Sequence, residues 1–379
     1  MVKPETIAAQ ACGHVDPVFG SITPPLHPST TYQRAVDNSF PQGRIYSRPD
    51  NPTYAAAAET LTQLEHGAAT LLFASGMAAA TSVFLALDPC AHVVVPKVMY
   101  WSLRNWLQGF ASRWGLRVDF VDTTDAAVLA AAVKIGETQL IWLETPANPL
   151  WGVADIAAAA DVAKVAGARL AVDSTAATPV LTQPLTLGAD VVVHSATKYL
   201  NGHSDVVAGA VVAARVDAFW ERIKTIQTQN GAVLGPFEAW LLQRGLRTLF
   251  VRVARQCATA QILAERFARH PAVGEALYPG LKTFANHEIA ARQMRGGFGG
   301  MLSLRVKQGE AAAIDAAAHV RLWKRATSLG GVESLIEHRA SIEGAGSPVP
   351  NDLLRLSVGL EAEDDLYDDL AEALTAARA

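Results

Sequence analysis

Short apolar runs and longer helical stripes take turns along most of the chain. Val-rich or Leu-rich runs at Ala69 to Phe73, His92 to Val95, Arg117 to Val121, Gln139 to Leu143, Arg169 to Val172 and Val191 to Val193 predict strands. Between them, Tyr54 to His66 (ended by Gly67), the alanine-rich stretch after Met77 to about Leu87, Ser102 to Trp114, Ala126 to Lys134 and Asp155 to Ala166 predict helices. Strands alternating with helices imply a mainly parallel sheet covered on both faces. Asp217 to Gln229 predicts a further helix, and Pro236 to His270 a long, mostly helical stretch. A second alternation begins with a strand at Met301 to Val306, a helix at Gly309 to Arg321 and an acidic amphipathic helix at Asp364 to Ala377. Residues 1 to about 53, rich in Pro, Ser, Thr and Asn, read as an extended arm. No internal repeat stands out.

A length of 379 residues exceeds one ordinary core and predicts two domains plus an extra segment. The reading is an arm at 1–53, a large domain at 54–245 and a small C-terminal domain at 246–379, the boundary falling near Gly245. Half the residues are hydrophobic and 18% are charged, with net charge −4 and no basic block, so nucleic-acid binding has no electrostatic footprint. No apolar span approaches the ~18 residues of a membrane helix. The N-terminus lacks the apolar core of a signal peptide. Cys12, Cys90 and Cys257 are far apart and odd in number, which predicts reduced thiols in a cytoplasmic protein and no metal site.

Candidate chemistry gathers at predicted strand ends, where open α/β sheets bind ligands. After Val191-Val192-Val193 comes His194-Ser195-Ala196-Thr197-Lys198. A lysine amine condenses with an aldehyde, and the hydroxyls of Ser195 and Thr197 can hold a phosphate beside it; pyridoxal phosphate carries both groups. A surface lysine in a turn is the alternative. After Phe73, Ala74-Ser75-Gly76-Met77 leads into a helix, so Gly76 and Met77 present backbone N–H groups to an anion, or make a plain tight turn. After Val172, Asp173 precedes Ser174 and Thr175; such an acid can keep a pyridine nitrogen protonated, or cap a helix. Arg355, inside an apolar strand, needs an anionic partner, either a structural carboxylate or a substrate.

Ser195-Ala-Thr-Lys-Tyr-Leu-Asn-Gly-His-Ser-Asp-Val-Val-Ala-Gly209 resembles the lysine signature of the cysteine/methionine-metabolism, or trans-sulfuration, family of pyridoxal-phosphate enzymes. Five further stretches resemble that family in order: Tyr46-Ser-Arg48 with Asn51-Pro-Thr, Ser75-Gly-Met77, Glu144-Thr-Pro-Ala-Asn148-Pro, Arg244-Gly-Leu-Arg-Thr-Leu249, and Leu354-Arg355-Leu-Ser-Val-Gly-Leu-Glu361. The resemblance implies the type I, aspartate aminotransferase-like fold and a homotetramer with active sites shared between two chains. In that family Tyr46 and Arg48 would reach a neighbouring subunit's cofactor phosphate. Tyr100 would stack on the ring and assist proton transfer. Gly76, Met77, Asp173, Thr175, Ser195, Thr197 and Lys198 would hold the cofactor, with Lys198 catalytic. Asn148, Ser328 and Arg355 would bind the amino-acid substrate.

Some positions depart from the family pattern. Ser174 and Ala176 replace its usual neighbours after Asp173. Tyr100-Trp101-Ser102-Leu103 stands where γ-acting members have Tyr-Gly-Gly-Thr, and Thr327 stands where they place a glutamate before Ser-Leu-Gly-Gly. The stretch after Glu333, with His338 and Arg339, also departs. The differences after Tyr100 and at Thr327 lean toward a cystathionine β-lyase-like enzyme cleaving L-cystathionine by β-elimination to homocysteine, pyruvate and ammonia, while those at Ser174 and Ala176 bear on substrate preference and the stretch after Glu333 does not favour either chemistry. A γ-acting lyase or synthase is the alternative, and a non-catalytic α/β binding protein the third reading.

Overall fold

The computed structural model describes residues 2–111, 113–344 and 346–378. Seven strands form the larger sheet: β1 (Ala69–Phe73), β2 (His92–Pro96), β3 (Arg117–Val121), β4 (Thr138–Glu144), β5 (Arg169–Asp173), β6 (Val191–His194) and β7 (Gly209–Ala213). Their order is β1-β7-β6-β5-β4-β2-β3. The pairs from β3 through β6 are parallel, while β7 is antiparallel to both β6 and β1. Successive strand side chains point to opposite faces. Val93, Val95, Trp142 and Val193 therefore pack into one core, and Val94, Ile141, Leu143 and Val172 into the core on the other side. Burial on both faces is why these strands read as unbroken apolar runs.

Five strands form the second sheet: β8 (Val273–Leu277), β9 (Met301–Val306), β10 (Lys324–Arg325), β11 (Leu335–His338) and β12 (Leu353–Ser357), in the order β10-β11-β12-β9-β8. All its pairs are antiparallel except β10 with β11. The sequence leaves β8, β10 and β11 unassigned. β8 is half exposed around Gly274 and Glu275, β10 is two exposed residues, and β11 carries the ionisable pair Glu337 and His338.

Three helical expectations also change. The arm, read as extended, contains a helix at Pro4–Ala9; Met1 lies outside the described residues. The helix expected over Ser102 to Trp114 is regular only at Trp101–Trp106 and continues as a π-helix at Leu107–Ala111; Ser112 lies outside the described residues. The stretch from Pro236 divides into Pro236–Leu246 and Leu249–Phe267. The second of these spans two cores. Val253 and Cys257 pack with the helices beside the larger sheet, whereas Leu263 and Phe267 pack under the smaller one. Among the described residues no helix is long and apolar enough to cross a membrane.

Candidate active site

The carboxyl ends of β4, β5 and β6 open into a cleft of about 240 Å³. Glu144, Asp173 and Lys198 reach it from those three strands, and Ser328 and Arg355 reach it from the second sheet's side.

The lysine turn is built rigidly. Thr197 Oγ1 donates to the Ala208 carbonyl at 3.1 Å and accepts from the Ala208 N–H at 2.9 Å, which ties the turn to the run into β7. Thr175 Oγ1 accepts from the Ser195 N–H at 2.8 Å. Arg252, buried, donates to the carbonyls of Tyr199 at 2.7 Å and Gly245 at 2.7 Å, and more weakly to that of Leu200 at 3.4 Å. Lys198 itself points inward and donates from Nζ to Ser328 Oγ at 2.8 Å. Burial and the neighbouring Arg355 charge bring its pKa down to about 8. A neutral amine, the nucleophilic and basic form, is thus reached closer to neutrality than for an exposed lysine.

Opposite Ser195 sits the start of helix Gly76–Leu85. Ser75 caps it, its Oγ accepting from the Ala78 N–H at 3.1 Å. A Cβ on Gly76 would fall 2.7 Å from Ser195 Cβ, so glycine is the residue that lets the two loops close into one cradle. Gly76, Met77, Ser195 and Thr197 all line the cleft there. Backbone N–H groups at a helix start, with small hydroxyls alongside, suit a phosphate.

Asp173 accepts from the Thr175 N–H at 3.0 Å. Burial raises its pKa, and among the described residues no basic side chain forms an ion pair with it. Glu144 lies alongside, its pKa pushed up to about 8 by burial and then by the Asp173 charge. Glu144 Oε2 accepts from the Tyr100 N–H at 2.6 Å and Oε1 from the Asn148 N–H at 3.0 Å. One carboxylate thereby sets two cleft residues 48 positions apart in sequence. Tyr100, 42% exposed, stands at the rim.

Arg355 on β12 is buried and has three polar partners. It donates to Asn148 Oδ1 at 3.2 Å and to the Ser328 carbonyl at 2.9 Å, and it lies 2.6 Å from Glu337 Oε2 on β11. The structural carboxylate and a cleft-facing position are therefore both realised. Ser328 contacts Lys198 and Arg355 at once, at φ +139°, a conformation non-glycine residues adopt only under constraint.

Lys198, Asp173, Thr175, Ser195, Thr197, Gly76, Met77, Tyr100, Asn148, Ser328 and Arg355 thus meet in one cleft. Tyr46 and Arg48 do not: both are exposed on the arm, Arg48 packed 5.8 Å from the Tyr46 ring, outside this chain's own cleft. Glu144, Glu337 and Arg339 received no role from the sequence. Glu144 stood in a quoted motif, but its partners are backbone N–H groups that no motif encodes. Glu337 and Arg339 had only the signal of two charges close behind the short apolar run Leu335-Ile336.

The donor set fits pyridoxal phosphate on three counts. A cradle that a Cβ would fill suits the phosphate, an amine of lowered pKa could take the aldehyde carbon, and a buried acid with no ion pair among the described residues could face the ring nitrogen.

Comparison with known proteins agrees. The family described as "Cys/Met metabolism PLP-dependent enzyme" matches residues 5–375. A cystathionine gamma-synthase of Mycobacterium bovis is 45% identical over 98% of this chain and 96% of its own. A cystathionine beta-lyase of Coxiella burnetii is 39% identical over 95% of this chain and 94% of its own. The crystal structure of metB from Corynebacterium glutamicum superposes with a TM-score of 0.95 at 41% identity, covering 99% of this chain and 98% of that one.

Proposed function

Because the chain belongs to the Cys/Met-metabolism family of pyridoxal-phosphate enzymes and has their type I fold, we propose that it works at Cγ of its amino-acid substrate. The reaction we assign is γ-replacement, in which a cysteine thiol displaces a leaving group from the γ-carbon of a homoserine derivative to form cystathionine. The observation that carries this reading is the 45% identity to a γ-synthase over 98% of the chain. The departures that favoured β-elimination lose force beside it. At Thr327 itself, the side chain donates from Oγ1 to Glu337 on the adjacent strand.

Pyridoxal phosphate, when bound, supplies an electron sink for charge developing on substrate carbons. Asp173 would keep a proton at the ring nitrogen, Gly76 and Met77 would donate to the phosphate, and Tyr100 would lie over the ring. Arg355 and Asn148 would orient the α-carboxylate. Lys198, anchored by Ser328, would swing between Cα and Cβ, and γ-chemistry needs protons moved at both positions.

The cradle's own lining is neutral, and Tyr46 and Arg48 sit exposed on the arm. These facts support an assembly of at least two chains, and a homotetramer by resemblance, in which the arm of one copy completes the phosphate site of the next. The three cysteines are all unpaired, in keeping with a cytoplasmic protein.

The deciding experiment offers purified enzyme L-cysteine with an O-acylhomoserine, and separately L-cystathionine alone. Cystathionine from the first, or 2-oxobutyrate from the second, supports chemistry at Cγ. Pyruvate from L-cystathionine, without 2-oxobutyrate, would return the assignment to β-elimination.

A further inference from the structure

Arg355 does not stand free to receive a substrate. Its register partner across the sheet is Glu337, and the two side chains are 2.6 Å apart. The same Glu337 oxygen accepts from Arg339 at 2.8 Å. Arg339 in turn donates to Glu343 at 2.7 Å, and Glu343 accepts from Ser347 at 2.6 Å. All four charged side chains are buried, and Arg339 also lines the cleft. Its Nε–H is buried with no partner. Cations and anions therefore alternate along one buried chain: Arg355, Glu337, Arg339, Glu343.

An internal carboxylate competes with any ligand carboxylate for the same guanidinium. Glu337 paired to Arg355 alone would neutralise it in a low-dielectric site, where such pairs hold tightly once formed. With a second cation on the same oxygen, Glu337 is shared, and Arg355 retains attraction for another anion.

We propose that Arg339 is a positioning residue for substrate binding: by sharing the Glu337 carboxylate it leaves Arg355 attraction for the α-carboxylate of the incoming amino acid. This inference rests on the assignment of Arg355 to that carboxylate, made above. It makes the cleft selective for amino acids with a free α-carboxylate, and it ties that selectivity to a segment that departs from the family pattern.

The test uses the loaded enzyme with L-norleucine, which has no leaving group, and with L-norleucinamide, which lacks the carboxylate. Both are titrated through the visible absorbance of the bound cofactor. Arg339→Met should weaken norleucine binding about tenfold or more, the scale of one charge-assisted contact, and leave norleucinamide unmoved. In turnover the loss should fall on KM far more than on kcat. Glu337→Gln combined with Arg339→Met should bind norleucine better than Arg339→Met alone, because the competing anion is gone. Arg339→Lys, which keeps the cation, should retain most of the affinity and serves as the check if Arg339→Met fails to fold. Unchanged norleucine affinity in Arg339→Met, or a double variant no better than the single one, overturns the proposal. Arg355→Met separates the two layers: if it binds norleucine as tightly as the parent protein, the Arg355 assignment itself is wrong.

Discussion

Lys198 Nζ donates to Ser328 Oγ at 2.8 Å, and this bond joins the turn after β6 to the loop between β10 and β11. Ser328→Ala removes the anchor while leaving the amine. Steady-state kcat should fall by about 10- to 100-fold, the cost of a misplaced reacting group, with cofactor still bound. Lys198→Ala should abolish turnover with the far-UV circular dichroism unchanged; substantial residual turnover would reject Lys198 as the base.

The lowered pKa of Lys198 gives a pH dependence in the cofactor-free protein. Its amine captures the aldehyde only when neutral. Uptake of pyridoxal phosphate should therefore accelerate as pH rises and reach half its maximal rate near 8, where an exposed lysine would still be protonated. A stopped-flow series between pH 6 and about 10 measures it, and a midpoint near that of free lysine would contradict the burial argument.

Among the described residues Asp173 forms no ion pair, and the cofactor's ring nitrogen is its expected partner. Asp173→Asn should raise the dissociation constant of pyridoxal phosphate at least about 30-fold, since one member of a buried charge pair is removed. Equilibrium dialysis reads this directly. Unaltered retention would mean the acid faces something else.

Gly76 is held by space and not by backbone angle. Gly76→Ala places a methyl 2.7 Å from Ser195 Cβ, so one loop must move. Overpacking of this kind costs about 1–3 kcal/mol, and the opened cradle should release phosphate more easily. Inorganic phosphate, which competes with the cofactor for the cradle, should compete less effectively in the variant than in the parent protein.

If the arm completes a neighbour's site, two inactive variants can rescue each other. Lys198→Ala and Arg48→Ala chains, mixed and reassembled, should recover up to about one quarter of the parent activity at equal ratio, because one site in four then draws both intact residues. No recovery from verified mixed assemblies would place Arg48 outside the neighbour's site.

The sequence made β2, β4 and β6 readable because both faces of each are buried, which confines their polar residues to the strand ends. It did not make β11 readable, because that strand buries Glu337 and His338. Those polar groups are held in part by partners that are distant in the chain: Arg355 for Glu337, and the Asn351 carbonyl, which accepts from His338 Nε2 at 2.5 Å. The same distinction holds in the cleft. Lys198 and Asp173 could be found as polar groups at the ends of apolar runs. Glu144 could be seen but not understood, since its work is done on the N–H groups of Tyr100 and Asn148. Arg252 shows the same limit, its guanidinium spent on carbonyls around a turn some 50 residues earlier.

The helix Leu249–Phe267 belongs to two cores at once, through Val253 and Cys257 at one end and Leu263 and Phe267 at the other. Neither sheet can lose its packing without stripping apolar surface from this shared helix. The larger and smaller sheets should therefore melt in one cooperative transition. Lys198 on one side and Arg355 on the other would then lose their common geometry together, not in stages.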